Sequence, residues 1–344
     1  EAGDLADQLS GLLGDIQMNI ADPDEGLDIM TQFFEYDETV FEKCDDSDGV
    51  VFMIYQCDAT DIFVDFASKC EDKNKVAETA LALFLSSNYG VRTHLLERAA
   101  EYLAKEHLLL MISLLETRIT TSDATNYDHY HALLGLEILA RITRNPELFE
   151  SARFRMRPEI SDASCIDIAR VYHECGRNGE ALSWVERIQE DDTWRQDERD
   201  ELLFAIYRDK GEPQKAEKAA RRLFERGHTL DRFERLVGVI GEEHRNRLLE
   251  EQANMLLEQD KYRQEDAAFL VDAGRPADAA RYLIRWAQEI NGNDYYSLVT
   301  LAQDMEQCNE FLASTVIYRA LLNAVLEHSL SKAYHHAAAY LHNM

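Results

Sequence analysis

Apolar residues recur along this chain at the spacing of helix faces, and beyond about residue 160 the recurrence becomes a repeat. Its clearest unit runs from Ile168 to Ile188, IARVYHECGRNGEALSWVERI. One apolar stripe carries Ala169 and Tyr172 and stops at Gly176; a second restarts near Gly179 and carries Ala181, Leu182 and Trp184. Small residues at Ala169 and Ala181 allow two antiparallel helices to approach, and Tyr172 and Trp184 fill the space beside them. Gly176 supplies a positive φ, which ends a helix at little steric cost. The pattern predicts a helical hairpin, and a lone hairpin cannot bury its own apolar face, so further hairpins are expected.

They follow in register. Helix-ending residues stand at Gly176, Gly211, Gly241, Gly274 and Asn309, with spacings of 35, 30, 33 and 35, close to the ~34-residue period of tetratricopeptide hairpins. Four positions before each stand Tyr172, Tyr207, Val237, Leu270 and Met305; eight positions after stand Trp184, Ala219, Leu249, Tyr282 and Ile317. Five positions after, where a small residue is expected, stand Ala181, Ala216, Asn246, Ala279 and Ser314. Asn246 and the short spacing before Gly241 make the third hairpin the irregular one. A last helix over 331–342, SKAYHHAAAYLH, is expected to cap the series.

Residues 1–158 are helical by pattern but less regular. The first stripe holds Leu5, Leu9, Leu12, Leu13 and Ile16; the second turns Ile29, Phe33, Tyr36, Val40 and Phe41 inward. DDSDG (45–49) is rich in acids, but Gln56 and Cys57 stand where a calcium loop needs its final Glu, so the stretch is read as a helix start. VVFMIYQ (50–56) has strand-forming valines but is short and flanked by helical patterns, and helix is predicted. Further helices are expected over 58–71, 75–88, 92–104, 106–120, 126–143 and 146–153. RFRMRP (153–158) marks the change to the regular hairpins of 159–344.

Charge narrows the function. The net charge is −29, and residues 1–90 alone hold 21 acids against 4 bases. General duplex binding, which works by neutralising phosphates, is excluded by that balance. Six cysteines form no CxxC or CxC pair, which points to free thiols in helices; Cys44, Cys57 and Cys70 are thirteen apart, about 3.6 turns, and so share no helix face. No apolar run reaches the ~20 residues that span a bilayer, and no signal-peptide pattern is visible. A cytoplasmic setting follows as the expectation. The first residue is Glu1 rather than Met, compatible with an upstream segment that carries a targeting signal or a further domain.

EYDETVFEKCDDSDG, SSNYGVRTHLLERAAEYL and the hairpins from ASCIDIARVYHECGRNGEAL to STVIYRALLNAVLEHSLSKAYHHAAAYL resemble a bacterial family of helical-repeat proteins known only as a domain of unknown function. A related set carries a similar region behind a SWIM-type zinc finger, whose CxC and CxH pairs are absent here. The resemblance implies an all-α fold, an α-α superhelix (solenoid) of tetratricopeptide-like hairpins, in a bacterial cytosol. It implies no activity and no cofactor.

Candidate chemistry is sparse. His129 and His131 beside Asp128 are two apart and point to different helix sides; His335 and His336 diverge by about 100°. His173 and Cys175 lack an oxyanion loop, and GRNGEA (176–181) lacks the lysine and strand of a phosphate loop. A catalytic role is therefore not expected, nor a metal. The more pointed cluster is cationic and aromatic: Arg281, Arg285, Trp286, Tyr318, Arg319, Lys332, Tyr334 and His336, in a region where Glu327 is the only acid after Glu310. On one exposed surface these would bind a protein or peptide, an acidic one in particular; as packing residues, the aromatics would be core with arginines lying over them. The expected function is a non-catalytic interaction scaffold that receives a partner in a groove, with homo-oligomers also in view. A nucleic-acid or nucleotide effector, or the non-catalytic part of a larger enzyme, are the alternatives.

Overall fold

A computed structural model describes residues 2–121, 127–157, 159–188, 195–328 and 334–344, and among these every regular element is helical. The protein is all-α, and its contacts divide it into two compact units, Glu1–Glu190 and Asp191–Met344.

The first unit holds α1 (Ala2–Asn19), α2 (Pro23–Glu35), α3 (Asp37–Lys43), α4 (Val50–Met53), α5 (Thr60–Lys69), α6 (Lys73–Leu85), α7 (Thr93–Glu97), α8 (Ala99–Tyr102), α9 (Lys105–Thr121), α10 (Tyr127–Ile142), α11 (Pro146–Met156), α12 (Asp162–Glu174) and α13 (Asn178–Val185). Its core gathers Phe34, Tyr55, Phe63 and Phe84, all essentially inaccessible. The acid-rich 45–49 stretch is a helix start: the Asp46 carboxylate accepts from the Val51 and Phe52 amides at 2.9 and 2.8 Å. The 50–56 run is helical, and α4 widens into a π turn over Ile54–Ala59 before α5. That turn leaves the Gln56 carbonyl to accept from His94 Nδ1 at 3.0 Å. Two expectations are corrected. Tyr36 is 65% exposed, because the break between α2 and α3 falls on it and turns it outward. Asp37 goes inside instead, where Arg92 clamps it with two hydrogen bonds of 2.6 and 2.8 Å. The helix expected over 92–104 is also two short helices, broken at Arg98.

The second unit holds α14 (Gln196–Asp209), α15 (Pro213–Arg226), α16 (Leu230–Ile240), α17 (Arg245–Glu258), α18 (Gln264–Asp272), α19 (Pro276–Arg285), α20 (Tyr295–Gln307), α21 (Phe311–Glu327) and α22 (Tyr334–Asn343). The hairpin register is visible in the backbone. Gly176, Gly211, Gly274 and Asn309 have φ of 77°, 69°, 76° and 63°. Each following amide reaches back to the carbonyl five residues earlier: Arg177 to Tyr172, Glu212 to Tyr207, Arg275 to Leu270 and Glu310 to Met305, at 2.7–2.9 Å. With the glycine or asparagine amide itself bonded to the carbonyl three residues earlier, at 2.8–3.0 Å, this double closure satisfies the last carbonyls of the first helix and fixes where the second begins. The α12–α13, α14–α15, α18–α19 and α20–α21 pairs pack as hairpins, and Ala181, Ala216, Ala279 and Ser314 are buried at their close approaches.

Gly241 departs from this pattern. Its φ is 118° and a single turn of 3-10 helix follows it. Accordingly α16 packs chiefly on α15 and α17 on α19, with Asn246 exposed where the other hairpins bury a small residue. A further hairpin escaped the sequence pattern. Arg144 has φ 53°, and Asn145 donates to the Ala140 carbonyl at 2.8 Å, which closes α10 onto α11 in the same way ahead of residue 159.

Candidate functional site

The α19 helix ends at Arg285 and Trp286 caps it, donating its amide to the Tyr282 carbonyl at 3.1 Å. The chain then turns through residues 287–294. Asn291 holds that turn by accepting from the Asn293 amide at 3.2 Å and its side-chain nitrogen at 2.9 Å. Gly292 lies flat on α21: a Cβ added there would sit 2.1 Å from the Ala320 carbonyl oxygen and 2.9 Å from the Ala324 Cβ. Only glycine opposite small helix residues permits this approach. Arg319, next to Ala320, crosses the gap and donates to the Ala287 carbonyl at 3.3 Å.

Between the turn and α21 opens a cleft of about 420 Å³ whose walls include Gln288, Asn291, Asn293, Arg319, Asn323 and Glu327. Four side-chain amides offer donors and acceptors together, and the guanidinium offers donors only. Glu327 sets the opposite sign at the far end. The cleft is built for hydrogen bonding rather than for an apolar ligand.

The α19 helix also carries a buried polar network. Tyr282 is buried, and its hydroxyl accepts from Gln259 Nε2 and the Arg263 amide at 2.8 and 2.9 Å while meeting the Asp266 carboxylate at 2.8 Å. Asp266 is itself buried, with His228 Nδ1 and Gln259 Nε2 at 2.5 Å. Burial pushes the Tyr282 hydroxyl well above its ordinary range. Tyr262 stacks on Tyr282 with centroids 5.9 Å apart and touches Trp286 at 6.4 Å. Burial also raises Tyr262, with Asp266 and Asp294 adding to the effect. Both phenols stay neutral at any physiological pH.

The eight residues singled out in the sequence do not form one surface. Arg285 lies 5.1 Å from the Trp286 ring and donates to the Leu257 carbonyl, with Asp260 at 4.0 Å. Trp286 is half-buried against the second unit's core. Of Arg285, Trp286 and Arg319, only Arg319, bonded to residue 287, lines the cleft; Arg285 and Trp286 precede the 287–294 turn and have their contacts elsewhere. Arg281 points outward and is shared with Asp278 at 3.5 Å. Tyr318 is a correction: at 1% exposure it is core. One residue along a helix is a turn of about 100°, so Arg319 faces the 287–294 turn while Tyr318 faces α22 and stacks on Tyr340 at 6.0 Å. Its hydroxyl is raised by burial and approached by Asn343 and Glu306. Tyr334 and His336 are exposed on α22, with His336 against His335 at 3.9 Å. Lys332 lies outside the described residues.

Three of the residues weighed as metal ligands are engaged in other contacts. His131 is buried against Phe84 at 4.5 Å and Tyr127 at 5.3 Å, and that burial lowers its pKa. Asp128 pairs with Arg118 at 3.0 Å, and His173 Nδ1 meets Asn178 Oδ1 at 2.8 Å. Among the described residues no three His, Cys, Asp or Glu side chains are placed to hold a metal ion. Cys70 and Cys165 are buried, but Cys308 is exposed at the end of α20. No helix among the described residues is long and apolar enough to cross a membrane.

No curated protein and no solved structure matches the chain. A protein-family model described as a family of unknown function, DUF6880, matches residues 2–156 and 151–344. With both compact units covered, the chain belongs to the DUF6880 family.

Proposed function

We propose that this chain is a non-catalytic interaction module, an α-α superhelix of tetratricopeptide-like hairpins from a bacterial cytosol. It binds an extended segment of a protein partner that carries an acidic side chain or terminus. The observation that supports this most is the amide-lined cleft between the 287–294 turn and α21. Its volume falls within the range of ligand clefts, roughly 300–1,000 Å³. Side-chain amides match the alternating donors and acceptors of a peptide backbone, and a guanidinium matches a carboxylate. Arg319 and Glu327 give the cleft a direction: the partner's carboxylate goes to the Arg319 side. Repeated hairpin closures support the tetratricopeptide-like reading, since a rigid scaffold lets exposed side chains do the recognising. The nucleotide alternative has less support, because Tyr318 is buried and Trp286 half-buried, so neither is a free stacking platform.

The test is fluorescence anisotropy with a fluorescein-labelled Gly/Ser peptide bearing Asp and Glu, against its Asn and Gln counterpart. Saturable binding of the acidic peptide is expected, weakened about tenfold by Arg319→Gln, the loss of one charge-assisted hydrogen-bonding group. Equal binding of both peptides, or an unchanged affinity in Arg319→Gln and Asn323→Ala, contradicts the reading.

A further inference from the structure

Among the described residues His131 and His228 are the buried histidines, and their surroundings differ in one respect. His228 faces the Asp266 carboxylate, with Nδ1 2.5 Å from it. His131, on α10, has no such neighbour. Its ring hydrogen-bonds to the Leu85 carbonyl at the end of α6, and its Nδ1 is buried with no hydrogen-bond partner among the described residues. A carbonyl oxygen only accepts, so Nε2 carries the proton and Nδ1 keeps a bare lone pair. A second proton on Nδ1 would place a charge where nothing compensates it.

Packing keeps the ring in place. α10 lies against α6, α7, α9 and α11. His131 and Gly135 stand one turn apart, and both meet Phe84 of α6. The His131 and Phe84 ring centroids are 4.5 Å apart, and a Cβ added to Gly135 would lie 3.0 Å from the Phe84 ring and 3.1 Å from Leu115 of α9. Tyr127 adds a second ring at 5.3 Å and donates its hydroxyl to the Ser87 carbonyl at 3.3 Å. Of the charged groups, only Asp128 of α10 itself acts on the imidazole, and Arg118 of α9 holds that carboxylate at 3.0 Å. The charges of α7 and α11 are turned to other partners: His94 and Glu97 meet at 3.4 Å, and Arg153 bonds Glu137 at 2.8 Å.

We propose that the α6–α10 contact is an acid-operated latch, which opens when His131 takes up its second proton. Burial lowers the His131 pKa and outweighs the raising effects of the Leu85 bond and Asp128. Below the unfolded histidine value of about 6.5 the open state therefore binds more protons than the closed one. The latch is fully shut above that pH and loosens as pH falls toward the folded value, by up to about tenfold per pH unit for one proton. The chain as a whole responds with the opposite sign: at net charge −29, acid relieves self-repulsion. Acid loosening confined to α6 and α10 is therefore the signature of this site.

Hydrogen–deuterium exchange of the whole chain at about pH 7.5 and about pH 5.5, corrected for intrinsic rates, tests it. The variant is His131→Gln, which keeps a donor for the Leu85 carbonyl but takes up no proton. In the wild type the amides of α6 and α10 should lose up to about tenfold of their protection at the lower pH, one unit below 6.5. That loss is measured relative to α5, which carries no histidine, and it should vanish in His131→Gln. Nitrogen-15 spectra of the wild-type histidine rings supply a second reading, which decides alone if the variant does not fold. His131 should show the Nε2–H tautomer at neutral pH and titrate below about 6.5. An acid loss equal in wild type and variant, no acid loss in the wild type, or a His131 ring already charged at neutral pH each overturns the proposal.

Discussion

Gly211 offers the sharpest test of the hairpin register, because its cost on substitution can be separated into parts. Its φ is +69°, and a Cβ built there has no heavy atom within 4 Å. A side chain would meet open space, so only the backbone conformation is strained. For an L-residue the left-handed region costs roughly 1–2 kcal/mol, and a β-branched residue sits at or above the top of that range. Asn tolerates the region far better, and Asn309 already fills the equivalent place with φ 63°. Gly211→Asn should therefore cost a few tenths of a kcal/mol, Gly211→Ala about 1 and Gly211→Val about 2–3. For a unit of this size about 2 kcal/mol corresponds to a fall in Tm of roughly 4–8 °C. Differential scanning calorimetry of the three variants gives the order directly. A Val variant that melts with the Asn variant would refute the argument, since no packing loss is available to confuse the result.

Arg144→Gly, the converse change, should raise the stability of the first unit by up to about 1 kcal/mol, as glycine removes the left-handed penalty but adds unfolded-state entropy; urea unfolding measures it. Gly292→Ala should destabilise by about 1–3 kcal/mol, because its Cβ would lie 2.1 Å from the Ala320 carbonyl oxygen; it should also abolish peptide binding, and a stable variant with full affinity would contradict the cleft geometry. Asp197 is partly desolvated, which raises its pKa, but hydrogen bonds from Arg232 and Arg226 win and hold it below its ordinary value. A depressed carboxyl pKa contributes stability above the unfolded pKa of about 3.9 and loses it as pH falls through the folded value. Asp197→Asn should thus be less stable than wild type at neutral pH, with the gap closing in acid titrations below pH ~4; a gap independent of pH would contradict the pairing.

The hairpin register was legible because its signal is chemical and local. A glycine or asparagine is needed where φ is positive, and Gly176, Gly211, Gly274 and Asn309 all stand there. Arg144 stands there too, but arginine gives no such signal, so the α10–α11 closure stayed hidden. Tyr36 shows the opposite limit: a period of 3.6 carried across a helix break predicts the wrong face. Tyr318 and Arg319 share a sequence neighbourhood, yet the helix sends them to different sides. The cleft itself left little trace. Gln288, Asn291 and Asn293 lie in a turn, where polarity is ordinary, and only the packing of Gly292 on Ala320 brings them opposite Asn323. The Arg92–Asp37 clamp joins residues 55 apart and is equally invisible to any local pattern.

The central claim is that the 287–294 turn and α21 form a peptide-binding cleft, and nuclear magnetic resonance reports on it most directly. In a titration of 15N-labelled protein with the acidic peptide, the side-chain amide signals of Asn291, Asn293 and Asn323 and the Arg319 guanidinium signal should shift together and saturate at one dissociation constant. Shifts confined to other residues, or none at peptide concentrations that saturate the anisotropy signal, would contradict it.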